Sequence, residues 1–197
     1  MHRLLFEHLP ADLKRNSKRY KLQTGDVLFS ERSSADAVYF IETGCVRMVV
    51  HPSDGKQLVL FRARDGESFA EEHIVSDNCG YTAIADKETS LLSVSAELLR
   101  EFMLSDAAAM RSYLTTVGFR MQQLRKNFER LALPSASAKV LHLLTSLSEG
   151  SEPLDLTGRI KTFASDLNLT HETMYRTLKT LEERGDIERQ NGWVRVL

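Results

Sequence analysis

Cysteine is scarce in this chain: only Cys45 and Cys79 occur, with no CxxC pair and no tight Cys/His cluster. Neither a disulfide framework nor a structural zinc site can organise it, and both residues read as ordinary thiols. Long apolar runs are missing as well. No stretch of about 18 apolar residues is found, and the opening MHRLLFEHLPADLKR carries neither an extended apolar segment nor a small-residue cleavage site. A soluble, cytoplasmic protein with no membrane partner is therefore expected. Nor is there an excess of one charge. The 26 Lys and Arg face 27 Asp and Glu, a formal net charge of -1, so any contact with nucleic acid has to come from a local arrangement. The six histidines, at 2, 8, 51, 73, 142 and 171, form no HxH pair, and no Ser/His/Asp or glycine-rich phosphate motif stands out. This speaks against an enzyme, including a cupin-like β-barrel metalloenzyme, whose metal needs several converging His and carboxylate ligands.

What is present fits a globular protein of 197 residues, 42% hydrophobic and 27% charged, enough for one large domain or two small ones. Over residues 20–94, short β-prone runs alternate with turn formers. The runs are Val38-Tyr-Phe-Ile41, Cys45-Val-Arg-Met-Val-Val50, Leu58-Val-Leu-Phe61, Tyr81-Thr-Ala-Ile-Ala85 and Leu91-Leu-Ser-Val94. Thr43-Gly44, Pro52-Ser-Asp-Gly55 and Asp65-Gly66 read as the turns between them. This spacing predicts an antiparallel sandwich or barrel; unrelated strands on a mixed sheet are the alternative.

Beyond Ser95, an N-cap by residue type, the pattern turns helical. From Ala107 onward, Met110, Leu114, Val117, Met121, Leu124, Phe128 and Leu131 follow at alternating intervals of four and three. That is a heptad a/d seam, and its period favours a second helix wound around the first, hence a homodimer. A core helix within one chain is the alternative, though it would carry a wider apolar stripe. Arg111, Arg120, Arg125, Lys126 and Arg130 lie off the seam and make this the basic part of the chain. Pro134 and the Ser135-Ala-Ser137 run then break the helix at a hinge.

From Ala138 a helical segment, Lys139-Val-Leu-His-Leu-Leu144, leads into a loop over residues 148–153. A short helix over 163–167, a tight turn at Asn168-Leu169, and a helix capped by Thr170 and stopped at Gly185 follow. Asn191-Gly192 between alternating apolar and polar residues is a hairpin signal. Helix, turn, helix, hairpin is the order of a winged helix-turn-helix. Three parts are expected: 1–104, a dimerisation helix and hinge at 105–134, and 135–197.

On the helix opened by Thr170, Met174, Thr177, Leu178 and Leu181 share an arc of about 100°, suited to burial. His171, Glu172, Tyr175, Arg176 and Lys179 form the opposite face, beginning at the helix N-terminus where base edges are met in the major groove. Arg suits guanine and Glu suits cytosine, so Arg176 and Glu172 are candidates to read a G·C pair, beside His171 and Tyr175. Lys161, Thr170, Thr173 and Lys179 are candidates for phosphate. A solvated face with an i, i+4 Glu172–Arg176 pair is the alternative, and the attached turn and wing weigh against it.

Four segments carry a family resemblance: Gly25-Asp-Val-Leu28; Ala35-Asp-Ala-Val-Tyr-Phe-Ile41 followed by Gly44; Gly66-Glu-Ser-Phe69; and the run from Phe163 through Thr170-His-Glu-Thr-Met-Tyr-Arg176 to Leu181-Glu-Glu. The chain resembles, over nearly its whole length, the CRP/FNR (catabolite activator protein) family of bacterial transcription regulators. The resemblance implies an α+β fold: an N-terminal antiparallel β-roll (a double-stranded β-helix, cupin-like), a long dimerisation helix and a C-terminal winged helix-turn-helix. It also implies double-stranded DNA with a TGA-like half-site core as partner, RNA polymerase as a second partner, and Glu172 and Arg176 as the matching recognition pair. A regulatory module that binds another protein through a cyclic-nucleotide domain would have no use for the recognition helix and wing.

The departures from the family concern the effector. Arg32 stands where the β-roll often has a glycine. Glu71 occupies the position that holds the ribose of cyclic AMP, but Tyr81-Thr82 replace the Arg-Ser pair that holds its phosphate. Leu124 and Arg125 replace the Thr and Ser that meet its base. Iron–sulfur members carry N-terminal cysteines, and here the first is Cys45. Haem-binding carbon monoxide sensors carry Cys and His where this chain has Ala70 and Glu72, and the nearby His73 reads as a surface histidine. No cyclic AMP, iron–sulfur cluster or haem is expected. A degenerate pocket of Glu71, Tyr81, Thr82 and Arg125 is left, open to an unknown small effector, with Arg125 as the replacement cation if it reaches inward.

Overall fold

The computed structural model describes residues 9–52, 57–148 and 153–197. The chain forms two compact units, one ending at Gln123 and the other starting at Leu124. The turn expected over 52–55 and the loop over 148–153 fall largely outside the described residues.

In the first unit eight strands build two antiparallel sheets. They are β1 (Lys18–Leu22), β2 (Val27–Phe29), β3 (Ala37–Thr43), β4 (Cys45–Val50), β5 (Leu58–Arg64), β6 (Ser68–Phe69), β7 (Thr82–Ala85) and β8 (Thr89–Ser95). The orders are β1-β8-β3-β6 and β2-β7-β4-β5. All five β-prone runs of the sequence fall on strands. The charged β1 and the two-residue β6 carry too little apolar alternation to announce themselves, and register with β8 and β3 supplies what they lack. Strand alternation sends Tyr39, Ile41, Val46, Met48, Phe61, Phe69, Tyr81 and Leu91 into the core between the sheets. The other face of β3 and β8 offers Val38, Phe40 and Val94 to a second cluster with Leu99, Met103 and Ala109.

Leu99 and Met103 come from α2 (Ala96–Ser105), where Ser95 accepts the Leu98 N–H as the expected N-cap; a short α1 (Ala11–Arg15) precedes β1. The helical stretch is divided at Asp106, whose carboxylate accepts the Ala108 and Ala109 N–H groups at 2.8 and 2.9 Å and so starts α3 (Ala107–Leu131) afresh. Among the described residues no helix is long and apolar enough to cross a membrane.

The second unit holds the end of α3, then α4 (Ala136–Leu147), β9 (Leu154–Asp155), α5 (Ile160–Asp166), α6 (His171–Glu183), β10 (Ile187–Gln190) and β11 (Trp193–Val196). Two boundaries differ from expectation. The serine run after Pro134 does not delay the next helix to Ala138, because Ser135 accepts the Ala138 N–H at 3.1 Å and starts α4 at Ala136. Helix α5 begins three residues before Phe163, where Gly158, at φ 68°, turns the chain into it. Val140, Leu144, Phe163, Leu167, Met174, Leu178 and Ile187 close one core under the helices and the three-stranded sheet β10-β11-β9.

Gly44, between β3 and β4, lies at φ 120°, and a Cβ there would stand 2.5 Å from the Thr89 backbone. Thr89 cannot retreat, since its hydroxyl accepts the Cys45 N–H at 3.0 Å and donates to the Lys87 carbonyl at 2.9 Å. Gly44→Ala is expected to cost about 2–5 kcal/mol, from left-handed backbone and overpacking together. Urea denaturation checks this, and an unchanged midpoint would refute it.

Candidate functional site

Helix α6 starts where the sequence places it. Thr170 is extended (φ -71°, ψ 155°) and its hydroxyl oxygen accepts the Thr173 N–H at 3.1 Å. Before it, Asn168 takes a left-handed φ of 55° and the Leu169 N–H bonds the Ala164 carbonyl at 2.8 Å, closing the turn between α5 and α6. The burial of α6 then splits by face. Met174, Thr177, Leu178 and Leu181 are buried, while His171, Glu172, Tyr175, Arg176 and Lys179 are exposed. His171 and Tyr175 meet edge to face at 4.8 Å. Glu172 and Arg176 stand one turn apart with their side chains in solvent. Of the phosphate candidates, Lys161 is exposed on α5, Lys179 lies 3.7 Å from Glu183, and the Thr170 and Thr173 hydroxyls bond each other at 2.8 Å.

The hairpin stands beside this face. Asn191 and Gly192, at φ 50° and 86°, make its tight turn between paired Gln190 and Trp193. Val194 goes to the core, so Trp193 and Arg195 point out. Trp193 shares with Tyr175, Arg189 and Asn191 a groove of about 550 Å³. Nothing in the sequence reading gave Trp193 a role, although the hairpin's alternation already places it on the outer face.

Four of the seam residues of α3 are turned outward. Leu114 and Met121 are 61% and 66% exposed in the first unit, and Leu124 and Phe128 are 38% and 75% exposed in the second. Met110, Val117 and Leu131 are half-buried. A different face, Ala109, Ser112 and Thr116, is buried.

At the mouth of the β-roll the pocket residues separate. Glu71 is buried and its carboxylate accepts the Ser68 hydroxyl at 2.6 Å. Tyr81 is buried between Phe29 and Phe61, at centroid distances of 5.7 and 5.9 Å. Thr82, adjacent on β7, faces the opposite side of the sheet, where its hydroxyl oxygen accepts the Glu31 N–H at 3.0 Å. Thr82 therefore does not join Glu71 and Tyr81 in the expected pocket. Arg125 is exposed and lies 3.7 Å from Glu129 on its own helix. Within the first unit the cation beside Glu71 is Arg120, whose guanidinium lies 4.2 Å over the Phe61 ring and donates to the Ser68 carbonyl at 2.8 Å. Sequence pattern classed Arg120 merely as an off-seam basic residue.

His73, expected at the surface, is buried. Ala70, left-handed at φ 65°, opens a 3-10 turn over Glu71–Ile74 that carries Glu71, His73 and Ile74 inward, and the His73 Nδ1–H donates to the Ala37 carbonyl at 2.8 Å. No three His, Cys, Asp or Glu side chains gather to hold a metal among the described residues.

Residues 19–106 match the family described as cyclic nucleotide-binding domain. Solved structures share the architecture, three among them as follows. FixK2 from Bradyrhizobium japonicum has 20% identity and a TM-score of 0.73, covering 91% of this chain and 92% of its own. The regulator CLP of Xanthomonas campestris, described as c-di-GMP responsive, has 20% identity and a TM-score of 0.72, covering 92% and 94%. A CooA mutant from Carboxydothermus hydrogenoformans has 16% identity and a TM-score of 0.76, covering 96% and 87%. This is the CRP/FNR fold. No curated protein sequence matches the chain. In CRP/FNR terms, β1 to β8 are the β-roll, α3 the long helix that follows it, and α4 to β11 the winged helix-turn-helix.

Burial raises the Glu71 pKa above its ordinary value, while Arg120 and the Ser68 hydroxyl pull it down by less. The folded state then holds this proton more tightly than the unfolded one, so the charged group costs stability as pH rises from the ordinary carboxylate range through the folded pKa. Glu71→Gln, which keeps an acceptor for Ser68, is expected to gain stability relative to the parent as pH rises above the ordinary carboxylate range. Thermal melts as a function of pH check it, and a pH-independent difference would refute it.

Proposed function

We propose that this chain is a sequence-specific DNA-binding transcription regulator that works as a homodimer and needs no cyclic AMP. The observation that carries this reading is the split face of α6: apolar residues locked in the core, and His171, Glu172, Tyr175 and Arg176 presented at a capped helix start beside a wing. That is the geometry of a helix entering the major groove. Arg176 and Glu172 read bases of a TGA-like half-site, Lys161, Lys179, Thr170 and Thr173 take phosphates, and the exposed Trp193 adds a contact from the wing. RNA polymerase is the partner that a regulator of this fold would recruit or obstruct.

Pairing through Met110, Leu114, Val117, Met121, Leu124, Phe128 and Leu131 of two copies would cover the exposed Leu114, Met121, Leu124 and Phe128 and complete the burial of the other three. Two recognition helices related by a twofold axis then ask for a near-palindrome with half-site centres about 34 Å apart. Cyclic AMP independence is supported by what replaces the phosphate site. A buried phosphodiester needs a cation or several directed donors. Tyr81 brings none of the charge, Thr82 faces away, and the Glu71 carboxylate adds charge of the wrong sign. Neither an iron–sulfur cluster nor haem enters this reading.

Leu124→Glu is expected to turn the dimer into monomer in sedimentation velocity, and an unchanged dimer would remove the seam from the account. Arg176→Ala is expected to lose about 1–3 kcal/mol at the cognate site and to relax preference at one G·C pair. Lys161→Ala should weaken all sequences alike and lower the salt slope by about one. Fluorescence anisotropy on cognate and random duplexes tests both, and equal loss on the two duplexes for Arg176→Ala would withdraw its reading role.

A further inference from the structure

Arg120 is an unusual lodger at the β-roll mouth. It belongs to the basic residues of α3, which by pattern should all face solvent, yet it points at the roll. Its planar cation lies 4.2 Å over the Phe61 ring from β5, one terminal nitrogen donates to the Ser68 carbonyl of β6 at 2.8 Å, and the other donates to Gln123 on its own helix at 2.8 Å. Its Nε is buried. Glu71, whose hydroxyl donor is Ser68 itself, feels the charge of the same guanidinium. A desolvated cation over an aromatic face is held more strongly than an exposed one, and the planar guanidinium bonded to a carbonyl fixes its orientation. The space left beside Glu67, Ser68, Thr116, Phe119 and Gln123 is about 10 Å³, room for about one water molecule.

The placement also sets how α3 can turn. Ala109, Ser112, Thr116 and Arg120 recur every three or four residues and form one face; the first three are small enough to let the helix lie close, and Tyr113 adds a bond from its hydroxyl to the Glu71 carbonyl at 3.4 Å. Arg120 is the member of that face that reaches across and holds. With it in place, the rotation of α3 about its axis is decided, and Leu114 and Met121 are left outward.

We propose that Arg120 is a built-in occupant of the effector mouth: its guanidinium takes the place of a small-molecule effector, pins the rotation of α3 on the β-roll, and so presents the pairing seam without any added ligand. This rests on the dimeric, DNA-binding reading above and names how that reading is kept permanently on. Charged hydrogen bonds of this kind, lost without replacement, correspond to about tenfold or more in an equilibrium constant.

The experiment uses the full chain with Arg120→Ala and Arg120→Met, the latter retaining an apolar stem over Phe61 should the alanine variant fold poorly. Hydrogen exchange of residues 107–123 and of β6, the dimer dissociation constant and the affinity for a cognate duplex are measured for each, with and without cyclic AMP and with millimolar guanidinium. Expected are faster exchange in both segments, dimer and DNA affinities weakened by about tenfold or more, partial recovery with guanidinium, and no response of the parent to cyclic AMP. Variants that exchange, pair and bind DNA like the parent would overturn the proposal and leave the function intact. Parent protein whose DNA affinity rises with cyclic AMP would overturn it too, since the nucleotide and not Arg120 would then hold the mouth. A parent that neither pairs nor binds DNA would defeat the functional reading instead, and unchanged exchange in the variants would still tell against the clamp.

Discussion

A helix that shows one face to a β-roll while leaving a second face free for another partner has only one acceptable rotation about its axis. In α3 that rotation rests on the contact of Arg120 with Phe61 and Ser68, backed by the small side chains of Ala109, Ser112 and Thr116. Packing alone would settle it less firmly, because small residues tolerate sliding, whereas a planar cation stacked on a ring and bonded to a carbonyl does not. The rest of the first unit is arranged to receive it. Phe61 is held by the aromatic core with Tyr81, and Ser68 is held by pairing of β6 with β3.

The second unit depends on a different kind of rigidity, made of caps and turns. Thr170 at the start of α6, Asn168 in the preceding turn and Asn191-Gly192 in the hairpin each relieve a backbone demand at a single residue. Together they hold the outer face of α6 and the wing on one core. Precision of this sort suits groove recognition, where a displaced side chain forfeits its directed bonds to a base edge.

Charge in this unit is tempered. Lys179 lies beside Glu183, Arg189 beside Glu182 and Arg195 beside Glu188, all at the surface and each weak on its own. Arg176, by contrast, stands in solvent at the front of the proposed reading face. A chain of net charge -1 has no bulk attraction for phosphate, so the proposed DNA contact would rest on a few directed groups.

Much of this was legible in the residues themselves. Hydrophobic period, turn chemistry and capping are local properties, so the five β-runs, the long helix α3, the cap at Thr170 and the Asn191-Gly192 hairpin all appear where the sequence puts them. The winged helix-turn-helix face could be drawn by helical geometry alone, since only 100° per residue is needed. The β-roll mouth could not. Which of Tyr81 and Thr82 looks inward follows from pairing of β7 with β4 and β2. His73 is buried because a left-handed Ala70 turns the next residues inward, a conformation alanine does not advertise. That Arg120 stands beside Glu71 depends on where α3 touches the sheet, a contact between residues some fifty positions apart. Local pattern determines elements and faces; only the packed fold decides which charged side chain ends in a cavity, because that choice is made by long-range sterics and electrostatics rather than by neighbours in the chain.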